Sequence, residues 1–261
     1  MNRTAFFTAL RRRGSGVFGT SLSQQQVRGI EGILDAFVSH GDGRAKTLAY
    51  ALATAYHETA RRMVPVRETL AKDDATARHR LRQARYAQPE PPYGHAYYGR
   101  GQVQLTWKRN YERSSEDAGV DLVRYPDKAL DPVIGARILI RGLLDGRWNG
   151  RGFGIAHYLP DARKDDLKGA RRTVNITDKW EVIAGYYRSF LMAIRNAGGV
   201  PRDTVNPASV SQAGFTERKC GLTSPGSKPD AAPRVVSDTK PGFRPLAMLL
   251  SILTLVFGGK R

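Results

Sequence analysis

Apolar residues recur at helical spacing along much of residues 21–197. Between residues 21 and 62 they include Val27, Ile30, Ile33, Leu34 and Phe37, and residues 49–55 are rich in strong helix formers. Ser21 and Ser23 precede the first stretch and the run 41–43 (Gly-Asp-Gly) follows it, an arrangement typical of helix caps. The pattern predicts two helices here.

Three further amphipathic stretches predict helices around residues 108–118, 132–144 and 179–197. Pro65 lacks an amide proton and disfavours helix before it, so we expect an extended chain near Met63 and Val64, with the second helix ending just after Glu58. Prolines and glycines between Tyr86 and Gly101 predict a loop. The whole predicts a mainly α fold with a small β-hairpin or extended arm.

Composition changes after residue 200. Residues 1–200 read as one domain, and residues 201–242 as a polar linker with too few large apolar residues to fold. Residues 243–261 carry an uncharged run, 245–259, which is shorter than the roughly 20 residues of a standard membrane span. Basic residues flank this run, so we expect either a helix that covers the domain or a short membrane-associated segment.

The chain is strongly basic, with a net charge of +18 and a pI near 10.4. This charge favours polyanionic partners, among them nucleic acid and an anionic cell envelope, and charge alone cannot choose between them. No nucleic-acid-binding module accompanies the charge, so no specific nucleic-acid partner is predicted. Arginines cluster at 61–62, 67 and 78–85. They are interpreted either as a solvated face or as an adsorption surface whose binding weakens with salt.

Cys220 is the single cysteine, so no intramolecular disulfide can form. The start of the sequence reaches Arg11 after a very short apolar stretch, which is not the order of a secretory signal. We therefore expect synthesis in the cytoplasm and action after release, with membrane association through residues 245–259 as an open alternative. A monomer is expected.

The triplet 57–59 (His-Glu-Thr) ends the second predicted helix. Burial at the end of an apolar helix would favour the protonated form of Glu58, as a general acid requires. A zinc-protease helix would need histidine where Arg61 stands, so no metal site is predicted. For an isolated glutamate, the simpler interpretation is a solvated helix end.

Glu68 is the candidate partner of Glu58. If Pro65 turns the chain back as an extended arm, the two carboxyl groups can face each other at roughly 6.5–9.5 Å, as in inverting glycosidases. Arg62 and Arg67 would then stabilise a negative charge on Glu68. Glu90 in the proline-rich loop is a competing base; Glu68 is preferred because a short hairpin is the stiffer support.

The segment 96–111 combines glycines with amide, hydroxyl and aromatic side chains. Sugars are bound by this combination, because their hydroxyl and N-acetyl groups take directional hydrogen bonds while their ring faces pack on aromatic rings. The alternative is a glycine-rich turn with core aromatic residues.

The runs 98–101 (Tyr-Gly-Arg-Gly), 104–107 (Gln-Leu-Thr-Trp) and 110–111 (Asn-Tyr) together resemble the signature of glycoside hydrolase family 19. This family contains chitinases and the related phage or prophage endolysins. The triplet 57–59 resembles the general-acid motif of the family. Residues 127–136 and 145–148 are similar to the endolysin branch, and the resemblance spans residues 6–194.

The resemblance implies a lysozyme-like helical domain that hydrolyses β-1,4 linkages with inversion. It implies Glu58 as the acid, Glu68 as the base with Glu90 as the alternative, and Thr106 as the residue that positions the water. The implied substrate-binding residues are His57, Tyr98, Arg100, Gln104, Trp107, Asn110, Tyr111 and Asn175. A basic residue of the family is replaced by Ile183, so its contact is either missing or supplied by another arginine.

The expected reaction is a single displacement, in which Glu58 protonates the glycosidic oxygen while Glu68 activates water. It requires no metal or organic cofactor. The expected substrate is a polysaccharide: peptidoglycan is favoured, as for an endolysin or muramidase, and chitin is the alternative. A protein of another class, binding cell wall or polyanions without catalysis, also remains open.

Overall fold

The computed structural model describes residues 1–148 and 152–202. Its α-helices there are α1 Arg3–Leu10, α2 Gln24–His40, α3 Ala45–Glu58, α4 Asp74–Arg80, α5 Lys108–Ala118, α6 Pro132–Asp145, α7 Ile155–Tyr158, α8 Leu167–Ala170 and α9 Trp180–Asn196. The short strands are β1 Val66–Arg67, β2 Pro89–Glu90, β3 His95–Ala96 and β4 Arg100–Gly101. The prediction of a mainly α fold with a small β element is confirmed.

Local capping chemistry accounts for the bounds of the long helices. Ser23 and Gln26 form a reciprocal capping box at the start of α2, with the Ser23 amide donating to Gln26 Oε1 at 2.8 Å. At α6 the Asp131 carboxylate accepts the amides of Val133 and Ile134, and Pro132 occupies the first helical position. The five predicted helices are all present. The helices α1, α4, α7 and α8 were not predicted, because they are too short to show a clear period.

Helix α3 is the centre of the core. All residues from Thr47 to Tyr56 are buried, and the helix packs against α9, α6 and α2. A helix that is buried on every side is expected to be apolar all round, and the alternating alanines of 49–55 allow its neighbours to approach closely. Helix α3 therefore carries its last residue, Glu58, directly from the core to the site described below.

The chain reverses sharply after α3. Thr59 Oγ1 donates to the carbonyl of Ala55 at 2.7 Å and accepts the amide of Met63 at 2.8 Å, which closes the turn. Met63 has φ 64°, so the extended chain expected there is wrong; extended structure begins only at Val66. A Cβ atom at Gly29 of α2 would lie 2.5 Å from the Met63 carbonyl oxygen, so this close approach requires glycine.

The strands form two separate antiparallel pairs. Strand β1 pairs with β4, placing Val66 opposite Gly101 and Arg67 opposite Arg100, whereas β2 and β3 form a local hairpin. The arm before Glu68 is thus held by a distant part of the chain. The expectation that a short local hairpin supports Glu68 is wrong, because the local hairpin carries Glu90 instead.

Residues Met1–Asp203 form one compact unit. Apart from Pro201 and Arg202, the predicted linker 201–242 and the apolar segment 243–261 lie outside the described residues. Membrane contact through 245–259, the monomeric state and the cellular location therefore stay predictions. Among the helices of residues 1–148 and 152–202, none is both long enough and apolar enough to cross a bilayer.

Candidate active site

Glu58 is the last residue of α3, and its side chain is only 3% exposed. Arg171, which lies in the 3₁₀ turn 171–173, places Nη1 2.8 Å from Glu58 Oε1 and is itself 1% exposed. The Nε atom of Arg171 donates to the carbonyl of Asp178 at 3.0 Å. The predicted acid is therefore half of a buried ion pair.

Burial alone does not define the electrostatic environment of Glu58, contrary to the sequence-based expectation, because the positive charge of Arg171 is in contact with its carboxyl group. Arg171 stands four residues before Asn175 and supplies a guanidinium group to the site, while Ile183 is buried in α9. The sequence contained one signal for such a residue, the expectation that another arginine replaces the basic group missing at Ile183.

Glu68 follows β1 and is fixed by two hydrogen bonds. Tyr86 donates its hydroxyl to Oε1 at 2.5 Å, and the amide of Gly99 donates to Oε2 at 2.8 Å. The Glu68 amide in turn donates to the Gly99 carbonyl at 2.7 Å. The candidate base is thus anchored to the glycine-rich 98–101 run, as its proposed role requires.

Burial raises the pKa of Glu68 above its ordinary value of 4.5, outweighing the hydrogen bonds from Tyr86 and Gly99, which lower it. The charge of Glu58 also contributes to the rise, so the two carboxyl groups are close enough to interact electrostatically. The expected support from Arg67 is wrong, because its guanidinium binds Asp127 at 2.6 Å. The expected support from Arg62 stays a prediction. Tyr86, which no sequence signal selected from its loop, donates to Glu68 instead.

Glu90 lies on β2, opposite His95 on β3. Its side chain makes no hydrogen bond or ion pair with any other part of residues 1–148 and 152–202. Lys108 Nζ donates to the neighbouring carbonyl of Pro91 at 2.8 Å, which ties the hairpin to the start of α5. Glu90 therefore lacks the anchoring that Tyr86 and Gly99 give to Glu68.

Tyr98, Arg100 and Tyr111 are buried, with at most 1% of each exposed. The Arg100 guanidinium lies 3.7 Å from the Tyr98 ring centroid and binds Asp127 at 2.7 Å and Asp74 at 3.0 Å. The Tyr111 hydroxyl donates to the Tyr98 carbonyl at 2.6 Å. Direct sugar contact by these three side chains does not agree with their burial; they form an enclosed network beneath the 98–101 run.

This network favours the ionised form of Asp127. Burial acts to raise the pKa of Asp127, but the charges and hydrogen bonds of Arg100 and Arg67 outweigh it and hold that pKa below its ordinary value. Because Arg67 and Arg100 face each other across β1 and β4, Asp127 links both strands. Asp127 lies 27 residues after Arg100, and no local sequence pattern predicts that the two residues pair.

Gln104 and Asn110 lie at the edge of the site with their amide groups partly engaged. Gln104 Nε2 donates to the carbonyls of Val66 and Gly101, both at 3.0 Å, and Asn110 Nδ2 donates to the carbonyl of Thr106 at 2.8 Å. The oxygens Gln104 Oε1 and Asn110 Oδ1 are buried and have no donor within the described part of the chain. Buried acceptors of this kind are normally satisfied, so they are suited to receive ligand or water hydrogen bonds.

Thr106 and Trp107 are half-buried between these amides. The Thr106 hydroxyl donates to the Gln104 carbonyl at 2.8 Å, which leaves its oxygen lone pairs as acceptors for a water proton. The Trp107 ring packs at 5.9 Å from the ring of Tyr86, the residue that binds Glu68. Trp107 therefore lies next to the residue that binds the candidate base.

His57 and Asn175 lie on the Arg171 side of the site. Burial lowers the pKa of His57, and the charges of Glu58, Arg171, Asp178 and Lys179 also act on it. The Asn175 amide donates to the Arg171 carbonyl at 2.9 Å. These interactions place the end of α3 next to the segment 171–179.

No cluster of metal-ligating residues is found within residues 1–148 and 152–202.

Residues 31–141 match the family model for chitinase class I, glycoside hydrolase family 19. This part of the chain is therefore similar to the family 19 glycoside hydrolases. The matched range includes Glu58, Glu68 and the whole 98–111 segment. Arg171 and Asn175 lie outside it.

Two curated relatives match short stretches of the chain. Endochitinase 1 of Theobroma cacao is 46% identical over 59 residues, which are 21% of this chain and 18% of the relative. Inactive chitinase-like protein 1 of Hevea brasiliensis is 42% identical over 60 residues, 21% of this chain and 19% of the relative. The chain thus spans about a fifth of the length of these relatives.

Among solved structures, chitinase C from Streptomyces griseus aligns with 77% of this chain and 77% of its own, at 19% identity and a TM-score of 0.46.

Proposed function

We propose that this protein is an inverting glycosidase that cleaves β-1,4 linkages in N-acetylhexosamine polymers, with peptidoglycan as its substrate. The observation that carries this proposal is the pair of a buried Glu58 and a half-buried Glu68, whose carboxyl groups have different partners: Arg171 contacts Glu58, and Tyr86 and Gly99 donate to Glu68. Carboxyl groups held in different environments are the usual basis for separate acid and base roles. Their position inside the range that matches the family 19 model supports the same reaction.

In the proposed reaction Glu58 donates a proton to the glycosidic oxygen, and Glu68 takes a proton from the attacking water. Arg171 assists because its charge stabilises the carboxylate that Glu58 becomes after donation. Thr106 accepts a hydrogen bond from the water. The free amide oxygens of Gln104 and Asn110 bind sugar hydroxyl or N-acetyl N–H groups.

Peptidoglycan is proposed ahead of chitin for two reasons. First, the segments 127–136 and 145–148 resemble those of endolysins. Second, the exposed surface beside Glu68 is rich in arginine, which suits a substrate that bears acidic peptides. Chitin is the second candidate, favoured by the names of the endochitinase relatives. The name of the inactive relative shows why turnover itself has to be measured, since a sugar-binding protein without catalysis is the remaining class.

The test is parallel digestion of purified peptidoglycan and of chitin oligomers, with mass spectrometry of the products and NMR of the anomeric configuration. We expect muropeptide products of inverted configuration and little chitin cleavage. The Glu58→Gln variant should lose activity by about 100-fold or more while keeping its helical circular dichroism. Near-normal activity of Glu58→Gln, or retained configuration in the products, would reject the mechanism.

A further inference from the structure

A continuous basic segment lies next to the candidate base. Helix α4 and the turn that follows it carry Arg78, His79, Arg80, Arg82 and Arg85, all exposed, and no acidic residue occurs from 75 to 89. We refer to residues 78–85 as the basic arm. The mechanism proposed above uses none of these side chains.

Two contacts attach the basic arm to the Glu68 support. Arg80 Nη1 donates to the carbonyl of Thr69, next to Glu68, at 2.9 Å. Tyr86, which directly follows the arm, donates to Glu68 itself at 2.5 Å. A ligand bound to the arm would therefore lie beside the side of the site that activates water.

The positive charge of the arm is poorly compensated. Arg78 Nη1 lies 3.8 Å from Asp74 Oδ2, and the same carboxylate is shared with Tyr98 and Arg100, which both donate to Oδ1. Arg82 and Arg85 form no ion pair within the described residues. Arg82 donates only to the His79 carbonyl, at 3.3 Å, so both guanidinium groups can bind an anion.

We infer that the basic arm is a subsite for the carboxylate groups of the peptides that substitute a peptidoglycan strand. Guanidinium groups suit this role because they bind carboxylates in a bidentate manner. Chitin carries no such acids, so the arm would make the enzyme prefer a peptide-bearing glycan to a neutral one. This inference rests on the proposed function and specifies its substrate.

The test uses the full chain and the double variant Arg82→Gln/Arg85→Gln. Its substrates are peptidoglycan freed of accessory anionic polymers, the same material after enzymatic removal of its peptides, and a chitin oligomer. We expect kcat/KM on the peptide-bearing glycan to fall about fivefold to tenfold, mainly through KM, because two exposed ion pairs with the substrate are lost. Rates on the chitin oligomer should not change. Rates on the peptide-free glycan, which keeps only one lactyl carboxylate on each muramic acid, should fall less, and the difference should shrink at high salt.

The matched control is Arg12→Gln/Arg13→Gln, which removes the same charge from an exposed segment near the N-terminus. Equal losses in both double variants would mean that general charge adsorbs the wall and would overturn the subsite. Equal losses on peptide-bearing and peptide-free glycan would overturn it as well.

Binding of soluble muropeptides, followed by NMR shift changes of backbone amides in residues 78–85, separates this inference from the proposed function. If wild-type protein hydrolyses nothing yet these amides shift with a peptide-bearing muropeptide and not with its peptide-free form, the catalytic proposal fails and the subsite stands. If the protein is active and the amides do not shift, the subsite fails alone. Binding of accessory wall-polymer fragments in preference to muropeptides would assign the arm to phosphate and also overturn it.

Discussion

The hydroxyl of Tyr86 donates to Oε1 of Glu68 at 2.5 Å and stabilises the ionised form of a carboxyl group whose pKa burial raises. Tyr86→Phe removes this donor and should raise the pKa of Glu68 further. A base works only when ionised, so the acidic limb of kcat/KM against pH should move to higher pH. At the low-pH end of the profile we expect kcat/KM to be about tenfold lower than in the wild type, because a hydrogen bond to a charged group is worth about 1.5–3 kcal/mol.

Tyr93→Phe is the control for this measurement. Tyr93 is 45% exposed, its ring packs against His95, and its hydroxyl forms no hydrogen bond within the described residues. Its pH profile should match that of the wild type. An acidic limb that stays in place in Tyr86→Phe would show that Tyr86 does not set the charge of Glu68.

The competition between Glu68 and Glu90 is decided by two matched substitutions. Glu68→Gln should lower kcat by about 100-fold or more, since general-base catalysis contributes about 10²–10⁴. Glu90→Gln should keep most activity, because Glu90 has no recorded polar partner within the described residues and lies on a separate hairpin. The reverse result, with Glu90→Gln inactive and Glu68→Gln active, would assign the base to the β2–β3 hairpin.

Local sequence patterns predicted the long helices well because their caps and apolar spacing are local. Ser23 and Gln26 define the start of α2, and Pro132 defines the start of α6. The end of α3 at Glu58 was also predicted. Met63 was not, because its left-handed conformation is imposed by packing against Gly29 in another helix, a contact with no local signature.

The site was predictable where a motif carries it and not where long-range pairing builds it. The segment 98–111 predicted a sugar-binding region, and the structure sorts its residues into buried supports such as Arg100 and half-buried candidates such as Thr106. Arg171 lies 113 positions from Glu58 along the chain, and only the tertiary fold brings the two together. Periodicity in the sequence therefore locates helices, but it does not identify which charged residues form ion pairs.

Because Glu58 and Arg171 form a buried ion pair, we expect substitutions of the two residues to have non-additive effects on the free energy of unfolding. Arg171→Met should destabilise the protein by about 3–5 kcal/mol, because it leaves a buried carboxylate without its cation. In the Glu58→Gln background the same change should cost much less. Denaturant unfolding of the four proteins in a double-mutant cycle measures this difference.

Arg172→Met is the neighbouring control for that cycle. Arg172 is only half-buried and makes no recorded ion pair within the described residues, so its loss should change stability by about 0.5 kcal/mol or less. Additive effects of Arg171→Met and Glu58→Gln would contradict a coupled pair.

We expect substitution of Gly99 to displace the carboxyl group of the candidate base, Glu68. A Cβ atom at residue 99 would lie 2.8 Å from Gln104 Oε1 and 3.1 Å from Glu68 Oε2, so in Gly99→Ala both side chains must move. The fold should survive, because these atoms are the ends of side chains, but kcat should fall by about tenfold or more, since small misplacements of catalytic groups are costly. Gly185→Ala in α9 is the control: nothing lies within 4 Å of its Cβ position, and it should leave kcat unchanged while stabilising the helix by about 0.5–1 kcal/mol. Full activity in Gly99→Ala would mean that the position of Glu68 is not critical and would count against its role as the base.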